Sequence, residues 1–178
     1  MGTHRAAARY AKSLIELSQE QKSLEKVIED MRLFAKVTKE NRKLAVVLKN
    51  PIIPASKKKA LILALFEKRV QPLTLKAFNL IIAKGRESIL EEIAIEFINE
   101  YNELKGIVEA TVSTPFKLDD SQREEITKIV EKTTNKKADL KEVIDENLIG
   151  GFLLKIGDRQ VDESVKSKLA KIQRALVA

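Results

Sequence analysis

Apolar residues recur along the first 105 positions at the three-and-four spacing of a helix face. Ala7, Tyr10, Ala11, Leu14, Leu17 and Ser18 form one stripe; Leu24, Val27, Ile28, Met31, Phe34 and Ala35 form a second. Side chains three or four apart share one side of an α-helix, so each stripe predicts a buried face. Leu44 to Leu48 fits a short helix closed by Asn50-Pro51. Pro51 and Pro54 bracket a rigid connector, because each fixes its own φ and restricts the residue before it. Ser56 is placed to cap a helix running to about Lys68, and Pro72 suits the first turn of another that ends at Gly85. Ile89, Leu90, Ile93, Ala94, Phe97, Ile98 and Tyr101 make the last stripe. The spacing predicts a bundle of five to six helices over residues 1–105.

At Gly106 the period changes. Val108, Ala110 and Val112 alternate with polar neighbours, as in a half-buried strand ended by Pro115. A helix follows, with Ser121 and Glu124 at the spacing of a capping box and Ile126, Ile129, Val130 and Thr133 as its apolar face. Leu140, Glu142 and Ile144 alternate again. Gly151 to Ile156 reads as a third strand, with Phe152, Leu154 and Ile156 on one side. Val165, Leu169, Ile172 and Leu176 mark a final helix. Residues 106–178 therefore predict a small α+β domain, β-α-β-β-α, beside a mainly α first domain. A unit this small buries only about 60% of the surface its unfolded chain exposes, so it is expected to gain stability from a partner.

Charge divides along the same line. The chain has 33 Lys+Arg against 26 Asp+Glu, a net charge of +7. Residues 1–105 hold 20 of the basic and 13 of the acidic groups, and the remainder is balanced at 13 against 13. A basic domain suits an acidic partner or nucleic acid, or else simply a solvated surface. For nucleic acid, Lys57-Lys58-Lys59 offers phosphate contacts. However, aromatic residues are 4% of the chain, tryptophan is absent, and no aromatic RNA-recognition motif is present. The lysine run opens a predicted helix, where it is expected to face water.

Reactive chemistry is scarce. There is no cysteine, which removes disulfides, thiolates and Cys-based zinc sites. His4 is the single histidine and lies near a terminus, so no Ser-His pair or His-rich metal site is expected. The acidic pairs Glu91-Glu92, Asp119-Asp120 and Glu124-Glu125 are sequence neighbours, which diverge by about 100° on a helix and do not converge on a substrate. Gly150, Gly151 and Gly157 lack the G-x-G-x-x-G spacing and any following Gly-Lys-Ser or Gly-Lys-Thr, and suit bends in a strand. No cofactor is expected. No stretch reaches the roughly 18 to 20 uncharged apolar residues of a membrane span. No signal peptide is expected at the N-terminus, and Ala6 stands where a myristoylation motif needs Ser or Thr.

Two features ask for a partner. The segment from Pro72 to Ala83 is apolar nearly all round, so it is either central to the bundle or partly exposed for binding. The first helix presents small residues at Ala6, Ala7, Ala8, Ala11 and Ser13, which leave a shallow groove for another helix.

Three segments then carry a family resemblance: Ala8-Arg9-Tyr10-Ala11-Lys12-Ser13-Leu14; Asn50-Pro51-Ile52-Ile53 through Leu80 to Gly85-Arg86, Ile89-Leu90 and Phe97; and Asp145-Glu146-Asn147-Leu148-Ile149-Gly150-Gly151-Phe152-Leu153-Leu154-Lys155-Ile156-Gly157-Asp158-Arg159 with Val161-Asp162 and Ser164-Val165. The chain resembles the delta subunit of bacterial F-type ATP synthases, relative of the mitochondrial oligomycin-sensitivity-conferring protein. Glu163 departs from the glycine often found there. The resemblance implies a non-catalytic stator subunit that ties the catalytic head to the peripheral stalk against rotor torque during proton-driven ATP synthesis. It implies that residues 1–105 take the N-terminal helix of an alpha subunit in a groove at Tyr10 and Leu80, to which the helical face adds Ala7, Ala11, Leu14 and Phe78. It implies that residues 106–178 bind the end of the b subunits. Gly150, Gly151, Lys155, Gly157, Asp158, Arg159, Asp162 and Ser164 form the C-terminal signature, structural or stalk-binding. One copy per assembly is expected, with no nucleic acid, at the cytoplasmic face of the bacterial plasma membrane and held there only through the complex. A basic RNA-binding bundle is the alternative.

Overall fold

The computed structural model describes residues 2–157 and 159–177. The chain divides into two compact units, Met1–Tyr101 and Asn102–Ala178.

The first unit is helical. Its elements are α1 (Gly2–Glu20), α2 (Leu24–Glu40), α3 (Arg42–Lys49), α4 (Ala55–Phe66), α5 (Pro72–Ala83), a 3-10 turn at Glu87–Ile89, and α6 (Leu90–Lys105), which runs on into the second unit. The stripes fall where the period places them: Ala7, Ala11, Leu14, Ile15 and Ser18 are buried on α1, and Val27, Ile28, Met31 and Phe34 on α2. Phe34, Phe66 and Phe78 bring α2, α4 and α5 together, with ring centroids 4.7 to 6.4 Å apart in tilted and edge-on arrangements. Such geometry favours aromatic packing beyond the area buried.

Two expectations for this unit are corrected. Ser56 does not cap α4, which starts at Ala55 after Pro54 with no side-chain cap and ends at Phe66. Lys58 does not face water; it is 1% exposed. The helical period puts Lys58, Ile62 and Phe66 in one line, and that line is the buried face of α4.

The second unit is a four-stranded sheet with helices: β1 (Ile107–Thr114), α7 (Asp120–Thr134), β2 (Lys137–Ile144), β3 (Leu153–Ile156), β4 (Arg159–Asp162) and α8 (Val165–Val177). The strand order is β2-β1-β3-β4. β1 and β2 run parallel, joined by α7; β1 with β3 and β3 with β4 are antiparallel. Ala110 lies opposite Leu140 and Ile156, and Val112 opposite Glu142 and Leu154. Ile126 and Val130 of α7, with Leu118, complete the core against Ala110, Val112 and Leu154.

The sheet has one strand more than expected. β4 is exposed along all four residues and has Val161 as its one apolar side chain, so it carries no alternation to read. The third strand begins at Leu153, two residues after the expected Gly151. The capping box of α7 lies two residues before Ser121: Asp119 accepts a bond from the Gln122 amide at 2.7 Å, and Gln122 accepts one from the Asp119 amide at 3.1 Å.

Candidate functional site

A cleft of about 300 Å³ opens between α1 and α5. Tyr10, Leu14 and Leu17 form one wall, Leu73, Ala77 and Leu80 the other, and Ile81 and Ile93 also line it. Ser13, Gln21 and Lys76 are its polar lining residues. Leu80 is 56% exposed, a large apolar side chain held open to water. The all-round apolar character of α5 is thereby explained. Thr74, Phe78, Ile81 and Ile82 face the core, while Leu80 on the outer side meets the cleft.

Both ends of α5 are fixed. At the N-terminus, Asp30 of α2 accepts bonds from the Gln71 amide at 2.8 Å and the Thr74 hydroxyl at 2.6 Å. Burial pushes the Asp30 carboxyl above its ordinary pKa against the lowering effect of these two bonds. At the C-terminus, Gly85 has φ +66°, its amide bonds the Ile82 carbonyl, and the Arg86 amide reaches back to the Ile81 carbonyl at 3.0 Å. This paired closure needs a left-handed residue, which glycine supplies without strain. It delivers the Arg86 guanidinium over the Tyr10 ring, 5.7 Å from its centroid. Arg5, Arg9 and Arg86 line an adjoining hollow of about 520 Å³ that shares Tyr10 and Ser13 with the cleft.

Of the six groove residues read from sequence, Tyr10, Leu14 and Leu80 line the cleft. Ala7, Ala11 and Phe78 do not. Ala7 and Ala11 lie fully inside the bundle, and Phe78 is the α5 member of the aromatic cluster. Periodicity marks the buried side of a helix but does not separate core from groove floor. Leu17, Leu73 and Ala77 were not singled out for the cleft; their one signal was membership in the same stripes.

The C-terminal signature is held together by its backbone. The Gly150 carbonyl accepts from the Val165 amide at 3.0 Å, and the Phe152 carbonyl accepts from the Glu163 amide at 3.0 Å. Gly151, at φ +79°, lies so close to residues 163–164 that a Cβ would press on the Glu163 carbonyl oxygen and come within 2.9 Å of the Ser164 Cα. Asp162 accepts from the Ser164 amide at 2.9 Å and the Ser167 hydroxyl at 2.6 Å. The Ser167 and Ser164 bonds hold its carboxyl well below the ordinary value, at about 2. Ser164 is buried and its hydroxyl accepts from the Ser167 amide, opening α8. These residues pin the start of α8 to the segment leading into β3. Gly157 turns the chain after β3 at φ +56°, while Lys155 and Arg159 are exposed. Asp158 lies outside the described residues. Val165 and Leu169 of α8 are exposed apolar side chains, Leu169 at 60%.

A profile of the family described as ATP synthase delta (OSCP) subunit matches residues 6–176. The chain belongs to this family. It is 41% identical over 169 residues to ATP synthase subunit delta of Cytophaga hutchinsonii, covering 95% of this chain and 92% of that protein. It is 38% identical over 172 residues to the subunit delta of Christiangramia forsetii, covering 97% and 93%. One chain of the cryo-EM structure of the Toxoplasma gondii mitochondrial ATP synthase hexamer shares the fold, with a TM-score of 0.72 at 20% identity and 97% of both chains covered. Members of the delta (OSCP) family are structural, non-catalytic subunits of the ATP synthase peripheral stalk, and the alternative of an RNA-binding bundle has no support among these relatives. Among the described residues no helix is long and apolar enough to cross a membrane.

Proposed function

We propose that the chain acts as a mechanical coupling, seating an apolar helix of the catalytic head in the α1–α5 cleft and holding the peripheral stalk with its second unit. The observation that carries the reading is the half-exposed Leu80 beside a cleft floored by buried Ile81 and Ile93. Apolar anchors in a preformed groove give a slow off-rate, the property a tether under torque requires. Family membership points to the alpha subunit's N-terminal helix as the occupant. The exposed Val165 and Leu169 on α8 give the second unit an apolar face for the end of the b subunits. Two contacts on one tether raise the effective concentration of each and make full detachment rarer. In this reading one copy serves each assembly, at the cytoplasmic face of a bacterial plasma membrane.

Calorimetric titration of the full chain with a peptide from the N-terminal helix of the same organism's alpha subunit tests the groove. Saturable one-to-one binding with a negative heat-capacity change is expected. A peptide competent to form helix that produces no binding heat at several temperatures would remove the groove from the proposal.

A further inference from the structure

Arg5 and Arg9 reach the hollow from α1, and Arg86 reaches it from the turn that closes α5. Among the described residues none of the three forms an ion pair with a carboxylate. Other cations of the chain do: Lys49 pairs with Glu91, Lys58 with Glu87 and Lys141 with Glu109. Three like charges around one concavity, without a counter-charge, concentrate positive potential there. The net +7 of the chain also belongs wholly to the segment that holds them. Tyr10 supports Arg86 from the face of its ring, which leaves the edge donors of the guanidinium free.

The hollow adjoins one end of the apolar groove, because both are lined by Tyr10 and Ser13. An apolar groove alone accepts a helix in either direction. A cationic end breaks that symmetry. Planar guanidinium forks match carboxylates, and an opposed lysine or arginine on the incoming helix is repelled. We propose that the helix seated in the groove carries an acidic side chain, beyond its last apolar anchor, whose carboxylate is held by Arg5, Arg9 and Arg86, and that this contact fixes the direction in which the helix lies. The proposal rests on the groove reading above.

The test is a two-by-two titration of the full chain. The probe is the synthetic alpha-subunit N-terminal peptide, as it is and with every Asp and Glu changed to Asn and Gln. The protein is unaltered or carries Arg5→Gln, Arg9→Gln and Arg86→Gln together; Leu80→Glu serves as the groove control. Each charge removal is expected to weaken binding about fivefold to tenfold at low salt, and both together little further, since they delete one contact. The salt dependence of binding should fall with either change. If Leu80→Glu abolishes binding while neutralising the arginines leaves affinity unchanged, the groove stands and the carboxylate contact is refuted. If the two losses simply add, the arginines and the acidic groups do not meet, and the proposal is equally lost. Absence of binding to the unaltered chain removes both readings. Should the triple variant lose its helical circular-dichroism signal, the amide peptide against the unaltered chain decides: equal affinity for the two peptides overturns the contact, and weaker binding of the amide form supports it.

Discussion

Lys58 donates to Glu87 at 2.7 Å from a side chain that is 2% exposed. The same ammonium donates to the Leu48 carbonyl at 3.0 Å. One lysine thus joins α4 to the end of α3 and to the 3-10 turn before α6. Burial opposes charge on Glu87, yet the bond from Lys58 and its attraction prevail, and the carboxyl lies below its ordinary pKa. Replacing Lys58 by Met strands the carboxylate and the carbonyl together. Lys58→Met is expected to lower stability by about 2 to 3 kcal/mol, and adding Glu87→Gln should restore part of it. Urea denaturation followed by circular dichroism measures both; a loss under about 0.5 kcal/mol for the single variant would contradict the account.

Phe78 and Leu80 sit two residues apart on α5 with opposite duties. Phe78→Ala removes one of the three rings of the aromatic cluster and should cost about 3 to 4 kcal/mol. Leu80→Glu should leave thermal unfolding nearly unchanged but remove binding of the alpha-subunit peptide. Melting curves and calorimetry on the same two variants separate the roles; a collapsed helix signal in Leu80→Glu would make Leu80 a core residue.

Gly151 and Gly157 both have positive φ, but their surroundings differ. A Cβ at Gly157 meets nothing within 4 Å, so Gly157→Ala bears only the backbone cost of about 1 to 2 kcal/mol. Gly151→Ala adds a collision with the backbone of residues 163–164, and at least twice that cost is expected. Hydrogen exchange of the β3 amides in the full chain reports the order. Equal protection in the two variants would show that the 163–164 segment yields to the methyl group.

Acid should loosen the junction of β4 and α8. The Asp162 carboxyl is depressed from 3.8 to about 2 in the fold, so the unfolded chain takes up its proton first as pH falls. Its stabilisation is complete above the ordinary value and is lost as pH drops through about 2. Asp162→Asn should therefore trail the unaltered chain by a constant margin above pH 4, and the margin should narrow between about 4 and 2. Asp30 works in the other sense: its raised pKa favours the fold at low pH, and that contribution fades as pH climbs past the ordinary 3.8. Urea midpoints across this range test the margin; a gap that does not change with pH would mean Asp162 has no depressed titration.

α1, α2 and α6 were legible because each buries a stripe, and a stripe is a property of spacing alone; α8 was legible from the same spacing although Val165 and Leu169 stay exposed. β4 was not, since Arg159, Gln160, Val161 and Asp162 are all exposed and bury nothing that would alternate. Lys58 was misread for a related reason: a lysine triplet looks solvated until one asks which of the three shares a line with Ile62 and Phe66. Asp119 and Ser121 are both able caps, and local sequence does not choose between them. Tyr10 and Leu80 were visible as groove residues, whereas Ala7, Ala11 and Phe78 depended on where neighbouring helices pass. The arginine hollow was hidden most fully, because the fold of α5 and its closing turn bring Arg86 to Arg5 and Arg9 across most of the unit.

The strand order leaves β2 and β4 outermost, and both are rich in charge: Lys137, Asp139, Lys141 and Glu142 on one, Arg159 and Asp162 on the other. An outer strand is an open row of backbone donors and acceptors that invites another sheet to add on. Here any second copy approaching side by side must desolvate ionic groups before its backbone can pair. The charged borders thus oppose edge-to-edge pairing between copies of the chain.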